Sequence, residues 1–179
     1  LDFFFTFRDK FLIRAAEPSD TGLVAHSWVE SYYRGSSDIR GVRIVHYRVP
    51  MFRRVERILA AASTLVACDP DDRDHLLGWV CWSGPTLHYC YTTQLRRSCG
   101  LMGALLDDAL AAGAVGLSTN LLDLDRRGRP VPSRLACDRE WCALMDVIAQ
   151  HPGATLQVMP DMIEKMNGPE QIEHLASLA

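Results

Sequence analysis

Lysine is almost missing from this chain. Of its 179 residues only Lys10 and Lys165 are lysines, against seventeen arginines. The bias reads first as a coding bias and second as a supply of planar guanidinium groups for anions such as phosphate. With a formal net charge of −3, the balance gives no electrostatic reason to expect nucleic acid. No apolar run approaches the roughly 18 residues needed to cross a membrane. The opening Leu1-Asp2-Phe3-Phe4-Phe5-Thr6-Phe7 lacks the basic start and the cleavage pattern of a secretion signal. Because the chain begins with Leu rather than Met, residues 1–11 read as a leader whose origin is open. No CxxC pair occurs, so Cys68, Cys81, Cys90, Cys99, Cys137 and Cys142 read as small core hydrophobes in a reducing cytoplasm, not as a disulfide framework. None of the six histidines forms a His-x-His pair, and no tyrosine follows Tyr91. Repeats and low-complexity segments are absent too. What remains is an ordinary globular composition, long enough for one domain or two small ones.

The pattern along the chain predicts an α/β protein. Residues 11–16 read as a strand, closed by the helix-start signal Glu17-Pro18-Ser19-Asp20. A helix follows, with Leu23, Val24, Trp28, Tyr32 and Tyr33 at helical spacing. The stretch 36–50 reads as a loop, and a second amphipathic helix is expected after Pro50. Three strands come next, over 64–68, 75–82 and 86–93, separated by Asp69-Pro70-Asp71-Asp72 and Ser83-Gly84-Pro85. The first half is therefore βααβββ. After Gly100 the rhythm changes to αβαβα: a helix over 101–112, a strand over 114–119, a helix holding Trp141, Leu144, Met145 and Ile148, a strand over 154–159 and a final helix over 169–178. Trp79 and Trp82 read as core.

The first half carries a resemblance. Ile13-Arg14-Ala15-Ala16-Glu17-Pro18-Ser19-Asp20, Ser27-Trp28-Val29-Glu30-Ser31-Tyr32, Leu65-Val66-Ala67-Cys68-Asp69-Pro70-Asp71-Asp72, Leu76-Leu77-Gly78-Trp79-Val80-Cys81-Trp82 and Leu87-His88-Tyr89-Cys90-Tyr91 are similar to GNAT-family N-acetyltransferases, in particular the phage-associated type, over about residues 12–100. That resemblance implies acetyl-CoA as co-substrate. It also implies a strand that splays open to pair with the pantetheine arm, and a loop that offers N–H groups to the pyrophosphate at a helix N-terminus. The implied cofactor contacts are Tyr89, Cys90, Tyr91, Arg97, Ser98, Cys99, Gly100, Leu101, Met102 and Gly103. Arg97 and Gly100 match the family's loop; Met102 stands where it has Gly or Ala. The family's usual general acid, a later tyrosine, has no counterpart. Glu30 and His88 are the candidate bases, with a strand histidine bonded to a neighbour as the plainer reading of His88.

The second half resembles something else. Ala104-Leu105-Leu106-Asp107-Asp108-Ala109-Leu110-Ala111-Ala112-Gly113-Ala114-Val115-Gly116-Leu117-Ser118-Thr119, Gly128-Arg129-Pro130-Val131-Pro132-Ser133-Arg134 and His151-Pro152-Gly153-Ala154-Thr155-Leu156-Gln157-Val158 are similar to N-acyl-D-amino-acid deacylases of the amidohydrolase superfamily, over about 103–178. There the segment would be βα units of a zinc-bearing barrel, a fold of about 250 residues. With no His-x-His, no metal site is expected, and His151 reads as a helix-end cap.

Two arrangements follow: a GNAT-like half (12–100) beside an amidohydrolase-like half (101–179), or one continuous mixed sheet in which the second half completes the first. Three functions remain open. The chain is a working or weakened N-acetyltransferase acting on a small-molecule or peptide amine, an inactive chimera or fragment, or a metal-free amidohydrolase remnant that binds a partner. No nucleic-acid or membrane partner is expected.

Overall fold

The computed structural model describes residues 10–36, 39, 41–97, 99–121, 124, 125, 127–160 and 168–178. The chain adopts the mixed α/β class. Strand β1 (Leu12–Ala15) is followed by a 3-10 turn over Pro18–Asp20 and helix α1 (Thr21–Gly35). Next come α2 (Ile44–Ala61), β2 (Ser63–Asp69), β3 (Asp72–Ser83) and β4 (Thr86–Thr92). The second half holds α3 (Leu101–Ala111), β5 (Gly116–Asn120), the short α4 (Pro132–Leu135), α5 (Asp138–Ala149), β6 (Thr155–Met159) and α6 (Gly168–Leu178).

Strands β1 to β4 form an antiparallel sheet in chain order, while β5 and β6 pair parallel with each other in a second, two-stranded sheet. Of the two arrangements that the sequence leaves open, the continuous sheet is not formed among the described residues. Strands β4 and β5 come within 8 Å, Cα to Cα, yet share no ladder. The parallel β5–β6 pair needs a long crossover, and α4 and α5 supply it.

The four-stranded sheet buries both faces, and the two faces differ in kind. Val66, Trp79 and Cys81 point to α1 and α2, where they meet Val24, Trp28, Val29, Tyr33, Tyr47 and Val55. Ala67, Leu77, Val80 and Trp82 point the other way, onto Leu101, Leu105, Leu106 and Ala109 of α3, with Val147 and Ile148 of α5 behind. One apolar core therefore joins residues from both halves of the sequence. Helix α3 is apolar on nearly every side because it lies between the sheet and α5.

Helix α2 starts earlier than the sequence suggests and carries Pro50 inside it. Proline in a helix interior normally costs about 3 kcal/mol. Here the turn before it is held by tertiary contacts: the Tyr47 hydroxyl donates to the Val29 carbonyl at 3.2 Å, and Ile44 packs against the aromatic core. His151 also departs from its expected role. Its Nε2 lies 2.7 Å from Asp107 Oδ1 on α3, tying α3 to the end of α5, instead of capping its own helix.

The start of the fold hangs on one buried ion pair. Arg14 of β1 grips Asp20 with two nitrogens, at 2.6 and 3.0 Å, and also donates to the Arg73 carbonyl at 3.1 Å. Asp20 accepts the Glu17 N–H as well, at 2.7 Å, which closes the helix-start turn. The Arg14 guanidinium holds the Asp20 carboxyl below its ordinary 3.8. A depressed carboxylate contributes stability in full above its unfolded value and loses it as pH falls toward the folded one. Asp20→Asn is therefore expected to cost about 3 kcal/mol at pH 7. In thermal melts its deficit against the native chain should shrink as pH drops below about 4; a deficit that does not change between pH 7 and pH 2.5 would place the loss in packing, not in charge.

Candidate functional site

Strand β4 is the last of its sheet, and its outer edge faces β5. The Thr93 N–H donates to the Leu77 carbonyl at 2.9 Å, so Thr93 points inward to β3. Antiparallel ladders alternate, so Tyr91 also points inward, while the N–H and C=O of Cys90 and Thr92 point out toward the gap. The register with β3 slips once: Cys81 pairs with Tyr89 and Trp82 with Leu87, which leaves His88 as the extra residue of a β-bulge. Such bulges re-aim neighbouring side chains, and this one turns Leu87 and Cys90 to the α3 face and Tyr89 and Tyr91 to the α1 face.

Helix α3 begins beside the end of β4. Gly78 of β3 makes this approach possible, since a Cβ there would sit 2.7 Å from the Tyr91 carbonyl oxygen and 3.2 Å from Leu101 Cδ2. Between β4 and α3 runs a 3-10 turn, Gln94–Arg96, and then Gly100 in the left-handed region at φ 79°. Gly100 has no side chain with which to cap the helix. The first bond along the helix is Ala104 N–H to the Gly100 carbonyl at 3.1 Å, so the amides of Leu101, Met102 and Gly103 head the helix with its positive dipole end behind them. The Met102 side chain is half-buried and packs against the core on the α3 side. Leu101 and Gly103 are buried. Arg96 and Arg97 flank this end, and neither guanidinium has an ion partner among the described residues. Cys99 turns its thiol to the Arg96 carbonyl. Ser98 lies outside the described residues.

The α1 face of β4 is an aromatic floor. Tyr89 stacks on Trp28 with ring centroids 5.2 Å apart and meets Trp79 at 5.7 Å and Tyr32 at 6.4 Å. Its hydroxyl lies 3.2 Å from Ser31 Oγ, which donates to the Trp28 carbonyl at 3.1 Å. The Trp79 indole N–H donates to Ser27 Oγ at 2.9 Å. Burial pushes the Tyr89 hydroxyl above its usual range. It also pushes the Cys90 thiol up to about 11, so this cysteine stays protonated at neutral pH and is no nucleophile.

The two candidate bases sit apart in character. Glu30 accepts Arg48 Nε at 3.0 Å and Arg34 Nη2 at 3.4 Å, so guanidinium groups from α1 and α2 occupy both of its oxygens. His88 is held by one partner, with Nε2 2.6 Å from Ser83 Oγ across the hairpin. Ser27, Ser31 and Ser83 were not singled out in the sequence, because a lone serine carries no spacing signal. Among the described residues no three His, Cys, Asp or Glu side chains gather as metal ligands would. None of the helices among them is long and apolar enough to cross a membrane. A shallow depression of about 370 Å³ lies over Ser118, Gln157 and Met159 of the β5–β6 sheet, away from the α3 N-terminus.

No protein-family model matches the chain, and no curated protein matches it. Among solved structures it is similar to the apo form of YjaB from Escherichia coli, at 22% identity and a TM-score of 0.45, over 57% of this chain and 66% of that one. It is similar to a possible acetyltransferase from Clostridium difficile 630 at 9% identity and a TM-score of 0.45, over 93% and 90%. A GNAT superfamily phosphinothricin acetyltransferase from Sinorhizobium meliloti, solved in complex with AcCoA, aligns at 19% identity and a TM-score of 0.42, over 57% and 59%. The chain thus spans less than two thirds of the first and third of these.

The left-handed backbone at Gly100 yields a direct prediction. Gly100→Val should cost about 1–2 kcal/mol in chemical denaturation, because a β-branched residue cannot hold that conformation without strain. An unchanged midpoint would mean that α3 starts elsewhere.

Proposed function

We propose that the chain is an N-acyltransferase that takes an acetyl group from acetyl-CoA and passes it to an amine. The observation that carries this reading is the free edge of β4, open toward β5, with the uncapped N-terminus of α3 at its end. An amide-bearing arm lying along β4 would find the N–H and C=O of Cys90 and Thr92, in the manner of an added strand. A pyrophosphate at the head of α3 would find the amides of Leu101, Met102 and Gly103, with Arg96 and Arg97 as planar counter-charges. The residues fit such a group: Gly100 brings no side chain, and Met102 turns into the core. When bound, the cofactor supplies an activated thioester.

The chain's own part in the chemistry is positioning and proton transfer. The edge amides of β4 can polarise a carbonyl laid against them, as preorganised donors do in acyl transfer generally. For the proton we favour His88 over Glu30, since its ring is tied by a single hydrogen bond while both Glu30 oxygens are engaged. Tyr89 and Tyr32, backed by the buried Trp79, would form the acceptor's wall, on the face of β4 opposite α3. The acceptor is a small-molecule or peptide amine, and its identity is left to a screen.

A second reading has one observation in its favour. The parallel β5–β6 pair with its helical crossover is the unit from which amidohydrolase-type barrels are built, so the chain can also be read as a folded but inactive chimera.

Release of free coenzyme A thiol, followed across a panel of amines, separates the two. Turnover with any amine, reduced about 100-fold in kcat by His88→Gln and little changed by Glu30→Gln, supports the acyltransferase. Glu30→Gln should instead lower stability by about 1 kcal/mol. A folded protein that neither binds acetyl-CoA nor turns over leaves the chimera. Arg96→Ala with Arg97→Ala should weaken acetyl-CoA binding by about tenfold in calorimetry; equal affinity in that double variant would remove the anion site from the α3 N-terminus.

A further inference from the structure

Five described arginines have a carboxylate within ion-pair distance: Arg14 pairs with Asp20, Arg34 and Arg48 with Glu30, Arg73 with Glu17, and Arg129 with Asp125. The outer face of α2 is different. Arg43 at its start, then Arg53, Arg54 and Arg57, are all exposed and have no ion partner among the described residues; Arg57 donates to the Arg53 carbonyl, at 3.3 Å. Glu56 is the single carboxylate in this helix. Val45 and Val49, 65% and 55% exposed, continue the row made by Arg53 and Arg57 at every fourth residue. A basic, part-apolar face is thus left open in a chain whose net charge is −3.

The complementary charge lies on the same chain. The β2–β3 turn carries Asp71, Asp72 and Asp74, all exposed and without a cationic partner among the described residues. The turn is held by two backbone donors: the Asp71 N–H donates to Asp69 Oδ1 and the Asp74 N–H to Asp72 Oδ1, each at 3.1 Å. Within one molecule the two patches do not pair: among the described residues no α2 arginine forms an ion pair with Asp71, Asp72 or Asp74.

We propose that the α2 face receives the Asp71–Asp74 turn of a second copy of this chain, each copy donating its turn and receiving its partner's. Unpaired guanidinium and carboxylate groups of one chain satisfy each other in this way, and the geometry closes with two-fold symmetry. Val45 and Val49 give the contact a dehydrated centre, which strengthens the charge pairs at its rim.

Sedimentation velocity tests this with two triple variants, R53E/R54E/R57E and D71R/D72R/D74R, all at exposed positions, with circular dichroism as the control for folding. The wild type should associate to a dimer at 50 mM salt, with affinity falling about tenfold or more at 500 mM as the charges are screened. Each triple variant alone should be monomeric. Mixed in equal amounts they should dimerise again, because each reversed face then meets a reversed or native turn of opposite sign. A wild type that stays monomeric at 50 mM salt overturns the proposal, as does a dimer that survives in either triple variant. So does a mixture that fails to associate while both proteins are folded. If either variant does not fold, the salt dependence of the wild type decides alone. Capture of a monomeric wild type by phosphatidylserine vesicles or by single-stranded DNA, lost in R53E/R54E/R57E, would assign α2 to another anionic surface and refute the second-copy contact.

Discussion

The structure depends on how closely α3 can lie on β3. Gly78 has no side chain, and the space a Cβ would need is taken by the Tyr91 carbonyl and by Leu101 and Leu105 of α3. This contact fixes three things together. It seats the most apolar helix in the core, it brings the second half of the chain against the first, and it sets Gly100 and the leading amides of α3 beside the end of β4. Any larger residue at position 78 would collide first with the Tyr91 carbonyl of β4 and would force the Leu101 side chain of α3 to give way.

From that seat, the division of labour between the two faces of the sheet follows. The α3 face is aliphatic, built from Leu77, Val80, Leu101, Leu105 and Leu106, and gives a firm backing for the start of the helix. The α1 face is aromatic, with Trp28, Trp79, Tyr32 and Tyr89 held in place by Ser27 and Ser31. The β-bulge at His88 divides them, since the extra residue swaps which side chains look to which face. The proposed acyl transfer rests on this combination of a strand edge without a ladder partner, different surfaces above and below, and a helix N-terminus at its end.

Much of this was legible in the residues, and the gaps have physical causes. The apolar periods of 64–82 gave the central strands, and Glu17-Pro18-Ser19-Asp20 gave the first helix start, because those signals are local. The first turns of α2 were not legible. Pro50 reads as a boundary, and only the long-range bond from Tyr47 to Val29 shows why the helix runs through it. Element order correctly suggested a mixed α/β fold but not the break between β4 and β5, because strand pairing across that gap depends on hydrogen bonds that no composition encodes. At the site, Gly100 was visible as a loop glycine, whereas the conformation of Met102 was not. A methionine's three rotatable bonds let it lie toward the core or across the donors, and only packing decides. The restraint of Glu30 by two arginines, one of them eighteen residues away, is equally a matter of tertiary neighbours.

The central claim, that the β4 edge and the α3 N-terminus form one cofactor cleft, is tested most directly by amide chemical-shift mapping as coenzyme A is titrated into labelled protein. The account predicts that the largest shifts fall together on Cys90 and Thr92 and on Leu101, Met102 and Gly103, with Thr93 and Tyr91, which face inward, less affected. Shifts confined to other parts of the surface, or none in a folded protein at millimolar coenzyme A, would contradict it.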